Sequence, residues 1–271
     1  MQATFTKLKK GLGQHFLLSQ KTAEKIVDLA EDLEHFNVIE VGPGRGILTR
    51  EILKRNPKYL LSVEKDRSLI KWHSDLLLLY QNNYKIVEAD ALFMKEEEIM
   101  KQPVKVIANL PYNISVALFL KWLNNIKYFT HLTLMFQKEV ADRIVAKPNS
   151  KAYGSLSILS QLLCNIEEKL IISPEEFFPK PKVYSSVITV RPLETQRFQI
   201  DIKALNKILN IVFTQRRKML RTSLKKLTTN IDSIFKSIGL TGNERPENLS
   251  IKEFCLLANS LFSNQKIHLY F

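Results

Sequence analysis

The chain has 271 residues, 45% of them hydrophobic, and its Lys and Arg outnumber Asp and Glu 40 to 27, for a net charge of +13. That is room for one large domain, alone or with a small companion, around an ordinary globular core. The charge points to a polyanionic partner, nucleic acid before an acidic surface, while no apolar run approaches the roughly 20 residues of a membrane span and the two distant cysteines, Cys164 and Cys255, fit neither a disulfide framework nor a zinc site.

In chain order, Met1 to Lys10 is basic but no apolar core follows it, so neither a secretory signal nor a transit peptide is expected. With reduced cysteines, a cytoplasmic protein with no membrane partner is expected. After Ser19, the spacing of Ile26, Leu29, Ala30 and Leu33 predicts a helix. Asn37 to Val41 reads as a short buried strand, running into Gly42-Pro43-Gly44-Arg45-Gly46 and a helix with Ile47, Leu48, Ile52 and Leu53 inward. Tyr59 to Val63 is a second strand ending at Glu64, Lys85 to Val87 a third ending near Asp90, Val104 to Ala108 a fourth ending at Asn109, and Leu132 to Phe136 a fifth. Strands alternating with helices predict an α/β fold with a parallel, doubly wound sheet, and the polar and glycine-rich positions fall at strand ends, where such sheets bind ligands.

Near Pro192 the composition shifts. From Thr195 onward thirteen Lys or Arg face five Asp or Glu, a surplus of eight. Ile202, Leu205, Ile208, Leu209, Val212 and Phe213 make one helix face; beyond them Arg217, Arg221 and Lys225 share a face at i, i+4 spacing, and Leu220, Leu224 and Leu227 share another. Residues 1–194 are therefore expected to form the α/β domain and 195–271 a smaller, all-helical domain with a basic surface.

Five motifs carry chemistry. The glycine run lets backbone approach a ligand closely, but its G-x-G-x-G spacing is not the G-x-G-x-x-G of dinucleotide binders. Glu64, 20 residues beyond Gly44, is placed to accept both ribose hydroxyls of a nucleoside, in NAD or in S-adenosylmethionine. Asp90 can accept from an adenine amine or cap a helix. Asn109-Leu110-Pro111-Tyr112 is the sharpest. An adenine N6 is a poor nucleophile because its lone pair is delocalised into the ring. Two acceptors against its N–H bonds, the Asn109 oxygen and a backbone carbonyl aimed by Pro111, favour a pyramidal nitrogen, and Tyr112 offers a flat face to an extruded base. Last, the prolines of Phe177-Phe178-Pro179-Lys180-Pro181-Lys182-Val183-Tyr184-Ser185 make a stiff, extended segment that can bring an aromatic to the other face of that base.

Together with Gly13-Gln14-His15-Phe16-Leu17, these motifs stand in the order seen in the ribosomal RNA adenine N6,N6-dimethyltransferase family, which the chain resembles over nearly its whole length. The tail from Phe213 to Leu224 also resembles that family's C-terminal domain. The resemblance implies a Rossmann-like class I methyltransferase sheet, with S-adenosylmethionine as cofactor and no metal. His15, Leu17, Gly42, Gly44, Glu64, Asp90 and Asn109 would line the cofactor site. Asn109, Leu110, Pro111 and Tyr112, with Phe177, would hold the target adenine; Phe177 meets the motif by spacing and Phe178 lies beside it. Many members carry Asn where this chain has His15. The implied substrate is 16S rRNA in a small ribosomal subunit precursor, where two adjacent adenosines of the 3′-terminal hairpin are each methylated twice during ribosome biogenesis, by a monomer. A nicotinamide oxidoreductase would need the other glycine spacing and a hydride-handling His or Tyr set, a binding protein would not need Asn-Leu-Pro-Tyr, and a DNA adenine methyltransferase is set aside only through the resemblance.

Overall fold

The structure is a computed structural model and describes residues 14–262. Gly13 and the basic stretch Met1 to Lys10 lie outside the described residues. The chain divides into two units, one running to Ala141 and resuming over Cys164–Glu194, the other formed by Asp142–Leu163 and the residues from Thr195 on.

The first unit is built on a sheet. β1 is Phe16–Leu17, β2 Asn37–Val41, β3 Tyr59–Glu64, β4 Tyr84–Glu88, β5 Val104–Asn109, β6 Phe129–Gln137, β7 Cys164–Ile172, β8 Phe177–Phe178 and β9 Ser185–Pro192. Seven of these form one sheet in the order β4-β3-β2-β5-β6-β9-β7. All five expected strands are present and pair in parallel. Two more extend the sheet beyond them: β9 runs antiparallel to β6, and β7 antiparallel to β9. The order reverses between β2 and β5, so a crevice opens at their C-terminal ends, the place where open α/β sheets bind ligands.

The central strands are buried along their length, as parallel strands covered on both faces must be. Two helices flank the first crossover. α1, Gln20–Asp28, is capped by the Ser19 hydroxyl on the Thr22 N–H and buries Ala23, Ile26 and Val27, while α2, Ile47–Lys54, follows the glycine turn. Both pack into a core cluster with Val38, Leu60 and Ile107. β1 and β8 form a separate two-stranded sheet, Phe16 opposite Phe178 and Leu17 opposite Phe177. It fastens the described N-terminal segment to the Pro-rich segment.

The second unit is helical. The helix Ile202–Thr214 buries Ala204, Leu205, Ile208, Leu209 and Val212, close to the face expected from the sequence. Its core also takes in Tyr153, Ile158, Leu220, Leu224, Phe235 and Phe254. The helix stops before the basic run. Residues 215–219 turn, and a new helix covers Leu220–Leu224. Arg217 therefore does not share a helix face with Arg221, contrary to the i, i+4 expectation. Arg216 is drawn aside by the Glu247 carboxylate at 2.7 Å and the Ser150 carbonyl at 3.3 Å. No helix among the described residues is long and apolar enough to cross a membrane.

Candidate active site

The crevice at the reversal of strand order is lined by four segments: Gln14–Leu17, the turn after β2, the ends of β3 and β4, and Asn109–Ile114 after β5. Most of the expected site residues meet there: His15, Leu17, Gly42, Gly44, Glu64, Asp90, Asn109, Leu110, Pro111 and Tyr112.

The turn is tight because its glycines adopt positive φ. Gly44 sits at +57°, and a Cβ there would lie 2.9 Å from the Phe16 ring, so only glycine admits β1 this close. The Gly44 N–H donates to Glu64 Oε2 at 3.3 Å, and the Asp66 N–H donates to Glu64 Oε1 at 2.8 Å. The Glu64 carboxylate is buried, and burial pushes its pKa up against these two donors. One N–H on each oxygen still leaves lone pairs for two more. Beneath the turn, Glu40 is buried with its Oε2 accepting from Thr49 and Ser62 hydroxyls at 2.8 and 2.7 Å. Burial raises its pKa to about 7.

Asp90 both caps and pairs: Oδ1 accepts from the Leu92 N–H at 3.0 Å and Oδ2 from Lys65 Nζ at 2.7 Å. The lysine holds the Asp90 carboxyl below its usual range. Asn109 Nδ2 donates to the His15 carbonyl at 3.1 Å, which commits the donor end of the amide and leaves Oδ1 as an acceptor. The His15 ring lies 5.2 Å from the Tyr112 ring, tilted by 32°, and its Nδ1 is 2.6 Å from the Pro179 carbonyl. The Tyr112 hydroxyl bonds Ser185 Oγ at 2.7 Å, and burial raises its pKa.

Phe177 is the site residue that does not join the others. It is 2% exposed, packed in the core cluster with Leu17 and Ile172, and does not line the crevice. The strand pairing sets this: opposite Leu17 it turns inward, leaving half-buried Phe178 opposite Phe16. Sequence reasoning missed Gln14, whose Nε2 donates to Asp66 at 3.2 Å, and Arg45, whose guanidinium lies 5.2 Å from the Phe16 ring and 4.9 Å from the Trp72 ring. It also missed Ser185 as the partner of Tyr112. Arg45 and Ser185 both stood inside quoted motifs, but the partner of each is remote in sequence.

The crevice thus offers two carboxylates, an amide oxygen, close-approach backbone, and apolar walls from Leu17, Ile47, Leu69 and Leu110. That set fits a nucleoside bearing a positive charge: acceptors for hydroxyls and an amine and apolar surface for a base, with the Lys65 amine taken up by Asp90 and the Arg45 guanidinium set against the Phe16 and Trp72 rings.

A model of the ribosomal RNA adenine dimethylase family matches residues 5–262. Ribosomal RNA small subunit methyltransferase A of a Wolbachia endosymbiont of Drosophila simulans is 61% identical over 261 residues, 96% of each chain. A solved dimethyladenosine transferase from Plasmodium falciparum superposes with a TM-score of 0.75 at 25% identity, over 89% of this chain and 95% of that one. The 23S rRNA methyltransferase ErmE does so with a TM-score of 0.69 at 23% identity, over 91% and 99%.

Proposed function

The chain belongs to the ribosomal RNA adenine dimethylase family, and on that premise we propose that its crevice sets the N6 of one adenine against S-adenosylmethionine and does so at two adjacent adenosines of the 3′-terminal hairpin of 16S rRNA. The protein is an S-adenosylmethionine-dependent methyltransferase that dimethylates adenine in small-subunit ribosomal RNA. Its substrate is a small-subunit precursor, met by a monomer in the cytoplasm.

When bound, the cofactor supplies an electrophilic methyl group on a sulfonium. The chain's residues do the rest by orientation and electrostatics. Glu64 accepts the ribose hydroxyls on the lone pairs left by Gly44 and Asp66. Asp90 accepts the cofactor's adenine amine while Oδ1 keeps the Leu92 N–H. Gly42 and Gly44 let the backbone approach, and His15 and Leu17 close the wall. Asn109 Oδ1 accepts one N–H of the target N6, and the carbonyl ahead of Pro111 accepts the other. Both bonds strengthen as the nitrogen lone pair leaves the ring, so they favour the transition state over the bound base. Tyr112 supplies the stacking face. With Phe177 held in the core, the stack rests on Tyr112. The proton released after transfer is acidic once the methyl is attached and needs no strong base.

The observation that carries this reading is the Asn109 amide at the end of β5, its donor end fixed by the His15 carbonyl and its acceptor end left for substrate. The test is to incubate the protein with labelled S-adenosylmethionine and under-methylated small subunits and to map the label. Label on two adjacent adenines near the 3′ end of 16S rRNA is expected. Label on other nucleotides, or on protein, refutes the substrate assignment.

A further inference from the structure

Ser185 opens β9, and its Oγ holds the Tyr112 hydroxyl at 2.7 Å. The three residues before it, Lys182, Val183 and Tyr184, are exposed and line a groove separate from the crevice. Ile171 of β7 lines it too, with Gln137, Lys138 and Glu139. Ile171 is 61% exposed, Val183 43% and Tyr184 54%. Single exposed apolar side chains are ordinary on any surface, whereas three lining one groove with two amines and the Glu139 carboxylate mark a contact surface.

The groove is held rather than loose. The Lys138 N–H donates to the Tyr184 carbonyl at 2.9 Å, and Gln137 pairs with Ser185 in the β6–β9 ladder. The Lys138 amine is 3.2 Å from Glu168, which leaves Lys182 as the amine on this rim with no acid paired to it among the described residues. An aromatic ring, a small apolar floor and an unpaired amine match a nucleotide: base on ring, phosphate on ammonium.

The chemistry of the crevice says which nucleotide. An adenine whose N6 reaches Asn109 has left its stack, so the base next to it has lost a stacking neighbour. A protein ring that took up this base would replace that neighbour and offset part of the cost of extrusion, and Tyr184 directly precedes the Ser185 that holds Tyr112. We propose that this groove is a second base platform, in which the nucleotide adjoining the target adenine stacks on Tyr184, with Val183 and Ile171 against its edge and Lys182 on its phosphate. The proposal rests on Asn109 to Tyr112 being the target adenine's site, and the Ser185–Tyr112 bond joins the two.

The test uses the full chain with the variants Tyr184→Ala, Tyr184→Phe, Ile171→Ser and Lys182→Gln. Methyl transfer to under-methylated small subunits is measured as KM and kcat, with filter binding to the same subunits and calorimetric titration with S-adenosylmethionine alongside. Tyr184→Ala is expected to raise KM and weaken subunit binding by about 5- to 100-fold, the worth of one base stack, with kcat and cofactor affinity at the parent values. Tyr184→Phe keeps the ring and stays near the parent. Ile171→Ser, at a site exposed enough to leave the fold alone, shifts KM in the same direction by less. Lys182→Gln lowers the magnitude of the log-log salt slope of binding by roughly 0.7–0.9. A parent-like KM and affinity in both Tyr184→Ala and Ile171→Ser overturns the proposal and leaves the groove to a protein partner. Tyr184→Phe as weak as Tyr184→Ala overturns it too, because the hydroxyl and not the stack would then matter. A parent that labels no adenine strikes the methyltransferase reading instead, and the filter-binding ratio of parent to Tyr184→Ala still decides the groove.

Discussion

At the scale of single residues, the proposed site asks structural polar groups to serve the ligand as well. Glu64 braces the glycine turn through Gly44 and Asp66, and in the proposed reading what remains of its carboxylate receives the ribose. Glu64→Gln keeps one acceptor oxygen but turns an NH₂ toward donors. Cofactor affinity should fall about 10- to 100-fold, the worth of a charge-assisted contact of about 1.5–3 kcal/mol. Calorimetric titration of a folded variant checks this, and unchanged affinity removes Glu64 from the cofactor site. Tyr112 is similar. Stacking needs only its ring, but its hydroxyl is tied to Ser185. Tyr112→Phe should therefore cost a few-fold in KM through a loosened ring, and Tyr112→Ala considerably more, as read from steady-state rates on small subunits.

At the scale of elements, the strands foreseen in the sequence are the apolar-rich stretches that end at a polar or glycine-rich position, as in Asn37–Val41 and Val104–Asn109, each buried despite the one charged residue within it, whereas β9 was not foreseen. β7 escaped notice because an edge strand reading Asn-Ile-Glu-Glu-Lys is largely exposed and shows no apolar face. β1 and β8 are two residues each, too short for any period, and they decide which of Phe177 and Phe178 turns inward. The sequence places an aromatic pair there; only the pairing register picks the face. Also illegible was the polar group at the other end of the sheet, because its members are far apart in sequence. Lys105 Nζ donates to the Ala30 and Asp32 carbonyls at 2.7 Å each and lies 4.1 Å from the centre of the Phe36 ring. Lys105 pairs in register with buried His131, whose neighbours include the ion pair of Arg191 and Glu31. Burial, with Arg191 and Lys105 adding to it, pushes His131 down to about 4. The folded form thus disfavours the proton that the unfolded chain takes up near pH 6.5. Stability from a neutral His131 is complete above that pH and is lost as pH falls through 4, by up to about 3 kcal/mol. Urea midpoints at pH 7 and pH 4.5 should differ more for the parent than for His131→Leu; equal differences would mean the ring is not buried as described.

For the whole molecule, the partner is a polyanion and the charge sits where the second unit can present it. Arg216 and Arg221 are spent internally, Arg216 on Glu247 and Ser150, Arg221 on Asp232 at 3.3 Å and the Thr241 carbonyl at 2.7 Å. Arg217, Lys218, Lys225 and Lys226 are exposed and form none of the ion pairs seen among the described residues. Changing these four to Gln should lower the magnitude of the log-log salt slope of subunit binding by roughly 0.7–0.9 for each phosphate no longer neutralised, and an unchanged slope would place the RNA elsewhere. Binding and chemistry then separate cleanly, because the amide proposed to act on N6 lies in the sheet unit and not among these cations. The most direct test is single-turnover methyl transfer by Asn109→Ala with small subunits and S-adenosylmethionine both saturating, and with both affinities measured. The rate should fall by roughly 10²–10³-fold or more while subunit binding holds, since the missing acceptor matters most in the transition state. Transfer at near the parent rate would make Asn109 a turn residue and contradict the account.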